Sequence, residues 1–149
     1  MIVLDANILV RAVLGRRVRQ ILESYSAKGI AFYAPEAAFI EVQTHLPKLL
    51  EKRGKSAEGV MTAVEYLRFL ITPIEAEFYE IFEEEARERL RGRDEEDWPI
   101  LASALGLGMP IWTEDADFFG TGVAVWTTSR VEIFLERQAK IRELGESGN

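Results

Sequence analysis

Cysteine is absent from the 149-residue chain, histidine occurs once, at His45, and proline only five times. Without cysteine there is no thiolate nucleophile, no iron–sulfur cluster, no Cys-based zinc site and no disulfide. A single imidazole excludes mechanisms that need two, and it cannot build a zinc site alone. No apolar run approaches the roughly 18 residues of a membrane span. The N-terminal run Ile2-Val-Leu is broken by Asp5 and has no basic segment before it, unlike a signal peptide. The expectation is a cytoplasmic protein that does not engage a membrane. What the chain holds in quantity is carboxylate: 25 Asp and Glu against 18 Lys and Arg, a net charge of −7. With 48% hydrophobic residues, the composition fits one globular domain over residues 1–149. A chain of this size buries roughly 68–70% of its unfolded surface, so its core needs no disulfide or structural metal.

The charge is unevenly placed. Residues 1–57 carry nine Lys/Arg against five Asp/Glu, and residues 58–149 carry nine against twenty. Such an asymmetry can mark a basic approach surface beside an acidic site. It can equally be solvated helix surface, as where Glu83, Glu84 and Glu85 interleave with Arg87, Glu88, Arg89 and Arg91 at i,i+4 spacing.

Hydrophobic periodicity predicts a buried strand at Ile2 to Leu4, a helix carrying Ile8, Leu9 and Ala12, and a second helix over Arg17 to Ala27. A strand over Ala31 to Ala34 should stop at Pro35. A helix from Glu36 to about Arg53 should kink or break at Pro47. Ser56 can cap the next helix, through Leu70, and Ile71 to Ile74 reads as a marginal strand. One amphipathic helix spans Glu75 to Leu90, with Phe78, Tyr79, Phe82, Ala86 and Leu90 inward. A helix from Asp97 to Leu107, strands at Pro110 to Thr113 and Val123 to Trp126, and a helix from about Ser129 to Leu144 complete the chain. Trp98, Trp112 and Trp126 are each in apolar phase and read as core. Short strands separated by helices predict parallel pairing, hence an α/β fold: a three-layer α/β/α sandwich around a short-stranded, mainly parallel sheet. Ligands in such sheets bind beyond the carboxyl ends of the strands, near the switch point.

Carboxylates fall at those places. Asp5 follows the first strand directly, where it can either face the crevice or cap the helix it precedes. Glu41 is the lone charge in Ala37-Ala-Phe-Ile-Glu-Val, on a face of small and polar neighbours. Pro99 is tolerated only in a first turn, which puts Asp97 at a helix start, in phase with Ile100, Leu101, Ala104 and Leu105. A capping carboxylate favoured by the helix dipole would fit Asp94, Glu95 or Glu96 equally well, and an acid in phase with the core stripe fits that role less comfortably. Asp115 and Asp117 follow the Ile111-Trp112-Thr113 strand, as in many turns. Carboxylates gathered at one opening repel one another, and a divalent cation relieves this. Mg2+ and Mn2+ prefer carboxylate oxygens and retained waters, and such ions suit phosphodiester hydrolysis.

Leu4-Asp5-Ala-Asn7-Ile-Leu9, the isolated Glu41, Asp97-Trp-Pro-Ile-Leu-Ala-Ser-Ala-Leu and Ile111-Trp-Thr113-Glu-Asp115-Ala-Asp117-Phe, in this order and spacing, resemble the PIN-domain nucleases, whose best-known small members are the VapC-like toxins of type II toxin–antitoxin modules. The resemblance spans nearly the whole chain. It implies Asp5, Glu41, Asp97 and Asp115 as catalytic metal-binding acids, with Asp117 assisting and Asn7 and Thr113 supporting them through hydrogen bonds. It further implies Mg2+ or Mn2+, an RNA substrate cleaved by metal-activated water, frequent homodimers and a cognate antitoxin. Asp94 departs from the usual toxin pattern and competes as a ligand. Two other readings remain. A catalytically inactive PIN-like binding module should lose acidic positions first, yet all four remain. An aspartate-dependent phosphohydrolase usually has a second aspartate where Asn7 stands and a lysine after a later strand, whereas every basic residue from Arg68 to Arg137 is arginine.

Overall fold

Burial dictates the centre of the fold. In the computed structural model, which describes residues 1–148, Ile2, Val3 and Leu4 are fully buried and form strand β1 (Ile2–Leu4). Burying such side chains stabilises by roughly 1.5–3 kcal/mol each. A strand apolar on both faces belongs in the middle of a covered parallel sheet. The five-stranded sheet has the order β3-β2-β1-β4-β5, with β2 (Phe32–Pro35), β3 (Ile71–Ile74), β4 (Ile111–Trp112) and β5 (Val125–Trp126), and every pair is parallel. Helices α1 (Ala6–Leu14), α2 (Arg17–Ala27), α3 (Glu36–Lys52) and α4 (Val60–Leu70) pack together, with α8 (Val131–Ser147) beside α2. Helices α5 (Ala76–Tyr79), α6 (Glu83–Arg89) and α7 (Trp98–Leu107) form a second group, which α7 seats against β1 and β2. Among the described residues no helix is long and apolar enough to cross a membrane.

Several expectations are corrected in detail. Pro35 belongs to β2, opposite Ile74, because β3 lies on that side at the sheet edge. Pro47 sits inside an unbroken α3. The Ser56 hydroxyl accepts from the Glu58 amide but caps no α-helix; α4 starts at Val60 behind Gly59, whose φ of 85° needs glycine. The predicted Glu75–Leu90 helix tightens to a 3-10 turn at Glu80–Phe82. There Phe78 and Phe82 crowd against Gly106, where a β-carbon would stand 2.8 Å from the Phe82 ring. Phe78 is therefore exposed on its outer side rather than fully inward. Trp112 is core, whereas Trp98 and Trp126 are half-buried, against Tyr79 and Phe134 respectively.

β1 is flanked by β2 on one side and β4 on the other, so the sheet's switch point lies between the carboxyl ends of β1 and β4. Leu4 pairs with Trp112, and the next residues along each strand are Asp5 and Thr113.

Candidate functional site

Asp5 does both things its position allows. One oxygen, Oδ1, accepts from the Ala6 amide at 2.7 Å and caps α1. The other, Oδ2, accepts from the Thr113 hydroxyl at 2.7 Å and from Asn7 Nδ2 at 3.2 Å. Thr113, fully buried, also accepts from the Asp115 amide at 2.9 Å and from Asn7 Nδ2 at 3.2 Å. The end of β1, the start of α1 and the turn after β4 are thus joined through one hydroxyl. Thr113→Val keeps the shape but strips a donor from the buried Asp5 carboxylate. It is expected to destabilise by on the order of 1–3 kcal/mol in urea unfolding, with Thr113→Ser recovering most of the loss. An unchanged midpoint would mean the hydroxyl holds nothing together.

Asp97 occupies the N-cap position of α7, yet its side chain makes no capping hydrogen bond. Asp94 does the capping, accepting from the Glu96 amide at 3.1 Å at the head of the 3-10 turn Glu95–Asp97. Asp94 is exposed and Asp97 half-buried. The helical phase read from the sequence therefore separates a surface cap from an acid directed elsewhere. Asp115 caps the 3-10 turn Ala116–Phe118, its Oδ1 accepting from the Asp117 amide at 2.9 Å. Glu41 is exposed on α3 and lines a groove with Asn7 of α1. None of these acids is in an ion pair among the described residues.

Their charges meet without neutralisation. Burial pushes the Asp5 carboxyl from 3.8 up to about 6; the Thr113 and Ala6 hydrogen bonds oppose this, and the charges of Asp115 and Glu41 add to it. Asp97 rises to about 7, first by desolvation, then by the charges of Asp5, Asp94, Asp115 and Glu41. The acids are near enough to feel one another. They are also too far apart, as placed, for any three to close on one ion among the described residues. Both facts suit a hard, hydrated cation: Mg2+ keeps several waters and is usually held by one or two carboxylates. The acids offer oxygen donors and the chain has no thiol; His45, one turn after Glu41 on α3, is the single imidazole nearby, so the set suits a hard cation such as Mg2+ or Mn2+ better than a softer metal.

Two arginines, one of them read from the sequence only as part of a solvated charge ladder, hold the acid-bearing loops. Arg93 donates through Nη1 to the Asp117 carbonyl at 2.6 Å and the Phe119 carbonyl at 2.5 Å, joining the segment before Asp97 to the one after Asp115. Arg89 donates to the Thr121 carbonyl at 2.9 Å. The arginine at 93 lies outside the helix whose i,i+4 ladder occupies its neighbours, a cue legible in the sequence. Its carbonyl acceptors were not.

The PIN domain profile matches residues 3–136, a span that includes Asp5, Glu41, Asp97 and Asp115. A solved structure similar to this chain, VapBC2 from Rickettsia felis bound to a DNA fragment from their promoter, aligns with a TM-score of 0.66. The alignment covers 85% of this chain and 98% of that one at 17% identity, which shows a shared fold. No curated protein matches. With the profile running from β1 into α8 over an all-parallel five-stranded sheet, the chain belongs to the PIN domain family.

Proposed function

We propose that residues 1–149 act as a single PIN-like nuclease domain, a VapC-like toxin ribonuclease that hydrolyses RNA phosphodiester bonds with Mg2+ or Mn2+. The observation that carries this reading is Asp97: a half-buried carboxylate at a helix start that caps nothing and is raised to about 7 among four other acids. A structural role would leave it paired. Asp5, Asp97, Asp115 and Glu41 are the acids that would hold the metal, which when bound supplies a nucleophilic water and neutralises charge on the phosphate. Thr113 and Asn7 orient the Asp5 carboxylate by hydrogen bonds. Asp115 is fixed by its own turn, which carries Asp117, and Asp94 caps the turn that ends in Asp97. An antitoxin and a second copy of this chain are the proposed protein partners. The cytoplasm is the proposed site of action.

Purified protein is expected to cleave RNA in Mg2+ or Mn2+ and to stop in EDTA. Full activity in chelator would defeat the metal mechanism, and no cleavage in either ion would leave the binding-module alternative in its place. Co-expression with the neighbouring gene should yield a complex; recovery of this chain alone, fully active, counts against an antitoxin.

A further inference from the structure

The charge asymmetry of the sequence resolves into a place. In the second part of the chain most arginines are engaged: Arg68, Arg87, Arg89, Arg91 and Arg142 each meet a glutamate and Arg93 meets two carbonyls, while Arg130, Arg137 and Lys140, away from the acids' groove, make no ion pair among the described residues. In residues 1–57, Arg17 and Lys28 are paired, while Lys48, Lys52, Arg53, Lys55 and Arg11 make no ion pair among the described residues. These free cations border one continuous depression. A groove of about 500 Å³ between α1 and α3 has an aliphatic floor of Val10, Val42, Leu46 and Leu49, with Lys48 and Lys52 at its side. Asn7 and Glu41 close it at the acidic end. Across Leu49 it continues into a second groove bordered by Arg53 and Lys55, and across Val10 into a third bordered by Arg11.

Along α3, Glu41, Lys48 and Lys52 fall on one face, seven and four residues apart. With a rise of 1.5 Å per residue, the lysines lie about 10 and about 16 Å beyond Glu41 along the axis. We propose that single-stranded RNA leaves the acidic site along this groove, with the phosphates next to the reacting one held by Lys48 and Lys52 and its bases against the aliphatic floor. This rests on the nuclease reading. Charge complementarity selects the occupant. A phosphodiester chain whose reacting phosphate sits among carboxylates and their cation needs its neighbouring phosphates on positive charge, and the row of lysines starts where the acids end. An acidic peptide in the same groove would bring its own carboxylates up to Glu41 and Asp97. The groove carries no Phe, Tyr or Trp and His45 is its one ring, so binding should depend strongly on salt and weakly on sequence.

The test uses a short fluorescein-labelled single-stranded RNA and the Asp97→Asn chain, which should bind without cleaving. Adding Lys48→Gln and Lys52→Gln is expected to weaken binding at least about tenfold and to lower the slope of log Kd against log salt by about 1.4, at roughly 0.7 for each phosphate no longer neutralised. In the otherwise wild-type chain the same pair should raise KM and leave kcat within about twofold. Removing equal charge from α8, by Arg137→Gln and Lys140→Gln, should change the affinity far less. Unchanged affinity and salt slope in the lysine variant would overturn the proposal, whether or not the protein cleaves RNA. So would intact RNA binding accompanied by loss of a co-purified protein partner, which would assign the groove to that partner. Failure of the wild-type chain to cleave RNA in either metal, with binding still dependent on the two lysines, would overturn the nuclease reading and keep the RNA track.

Discussion

Asp97→Asn is expected to lower RNA cleavage by roughly 10²–10³ or more and, in the same protein, to raise the melting temperature of the metal-free chain. The first effect is the scale on which a single group that stabilises transition-state charge acts. The second follows from geometry. The Asp97 side chain caps nothing, so the amide forfeits no hydrogen bond, while a charge facing Asp5, Asp94, Asp115 and Glu41 disappears. Asp97 is half-exposed and solvent screens part of the repulsion. A gain on the order of 1 kcal/mol, or roughly 2–4 °C, is the right scale. It should be full at pH 8, where the wild-type carboxyl is ionised, smaller at pH 5, where that carboxyl, raised to about 7, carries a proton in the folded chain, and gone only below about pH 4, where the unfolded chain is protonated too. Asp94→Asn should behave oppositely. Asparagine caps a helical turn as well as aspartate, so activity should stay within a few-fold of wild type. If Asp94→Asn abolished cleavage and Asp97→Asn did not, the two acids would have to exchange roles.

Asp5→Asn is expected to abolish RNA cleavage without that gain in stability. Its Oδ2 receives both the Thr113 hydroxyl and Asn7 Nδ2, and an amide nitrogen there would confront two donors. The contrast shows why the acids, read from sequence as a set, are not equivalent in the fold. Their positions were legible because each is tied to a strand end or a helical phase: Asp5 after a wholly apolar run, Asp97 in step with Ile100 and Leu101, Asp115 after Ile111-Trp112. What each oxygen bonds to was not legible. The Thr113 hydroxyl reaches Asp5 across 108 positions of sequence, and no local pattern encodes that distance.

The same division runs through the rest of the chain. Helices α1, α2 and α7 follow from periodicity because their buried faces are aliphatic and their ends carry clear stops. Pro47 misleads, since local chemistry opposes it while the packing of Val42, Leu46 and Leu50 keeps α3 whole. Strands β4 and β5, two residues each, are shorter than their apolar runs because only the stretch beside the preceding strand finds a ladder partner. Charge pairs within α6, Glu83 with Arg87 and Glu85 with Arg89, can be counted off the sequence. That Lys48 and Lys52 find no acid can be seen only once α1 is in place beside α3.

Millimolar Mn2+ is expected to raise the melting temperature at pH 8 and to do so progressively less as the pH falls to 5, while the metal-free chain shows the reverse trend and melts higher at pH 5 than at pH 8. In the folded protein Asp5 is raised from 3.8 to about 6 and Asp97 from 3.8 to about 7. An acid whose folded value lies above its unfolded one binds protons more tightly when folded. The stabilisation it confers is complete below about pH 4 and is lost as the pH climbs through 6 to 7. For Asp5, which is only 6% exposed, the change corresponds to about 3 kcal/mol, at 1.36 kcal/mol per tenfold change in proton affinity. Asp97 adds less than its value alone would suggest, because water screens it. A cation bound only by the folded chain counters the same repulsion, contributing about 2.7 kcal/mol at a hundredfold excess over Kd. That is several degrees for a domain of this size. Protons and metal compete for the same oxygens, so the melting temperatures with and without Mn2+ should converge towards pH 5 and separate towards pH 8. Calorimetry at both pH values, with and without Mn2+, reads the whole pattern. Superimposable melting curves at pH 8 across saturating Mn2+ would mean that Asp5, Glu41, Asp97 and Asp115 do not act as one site, whatever their charges do to one another in its absence.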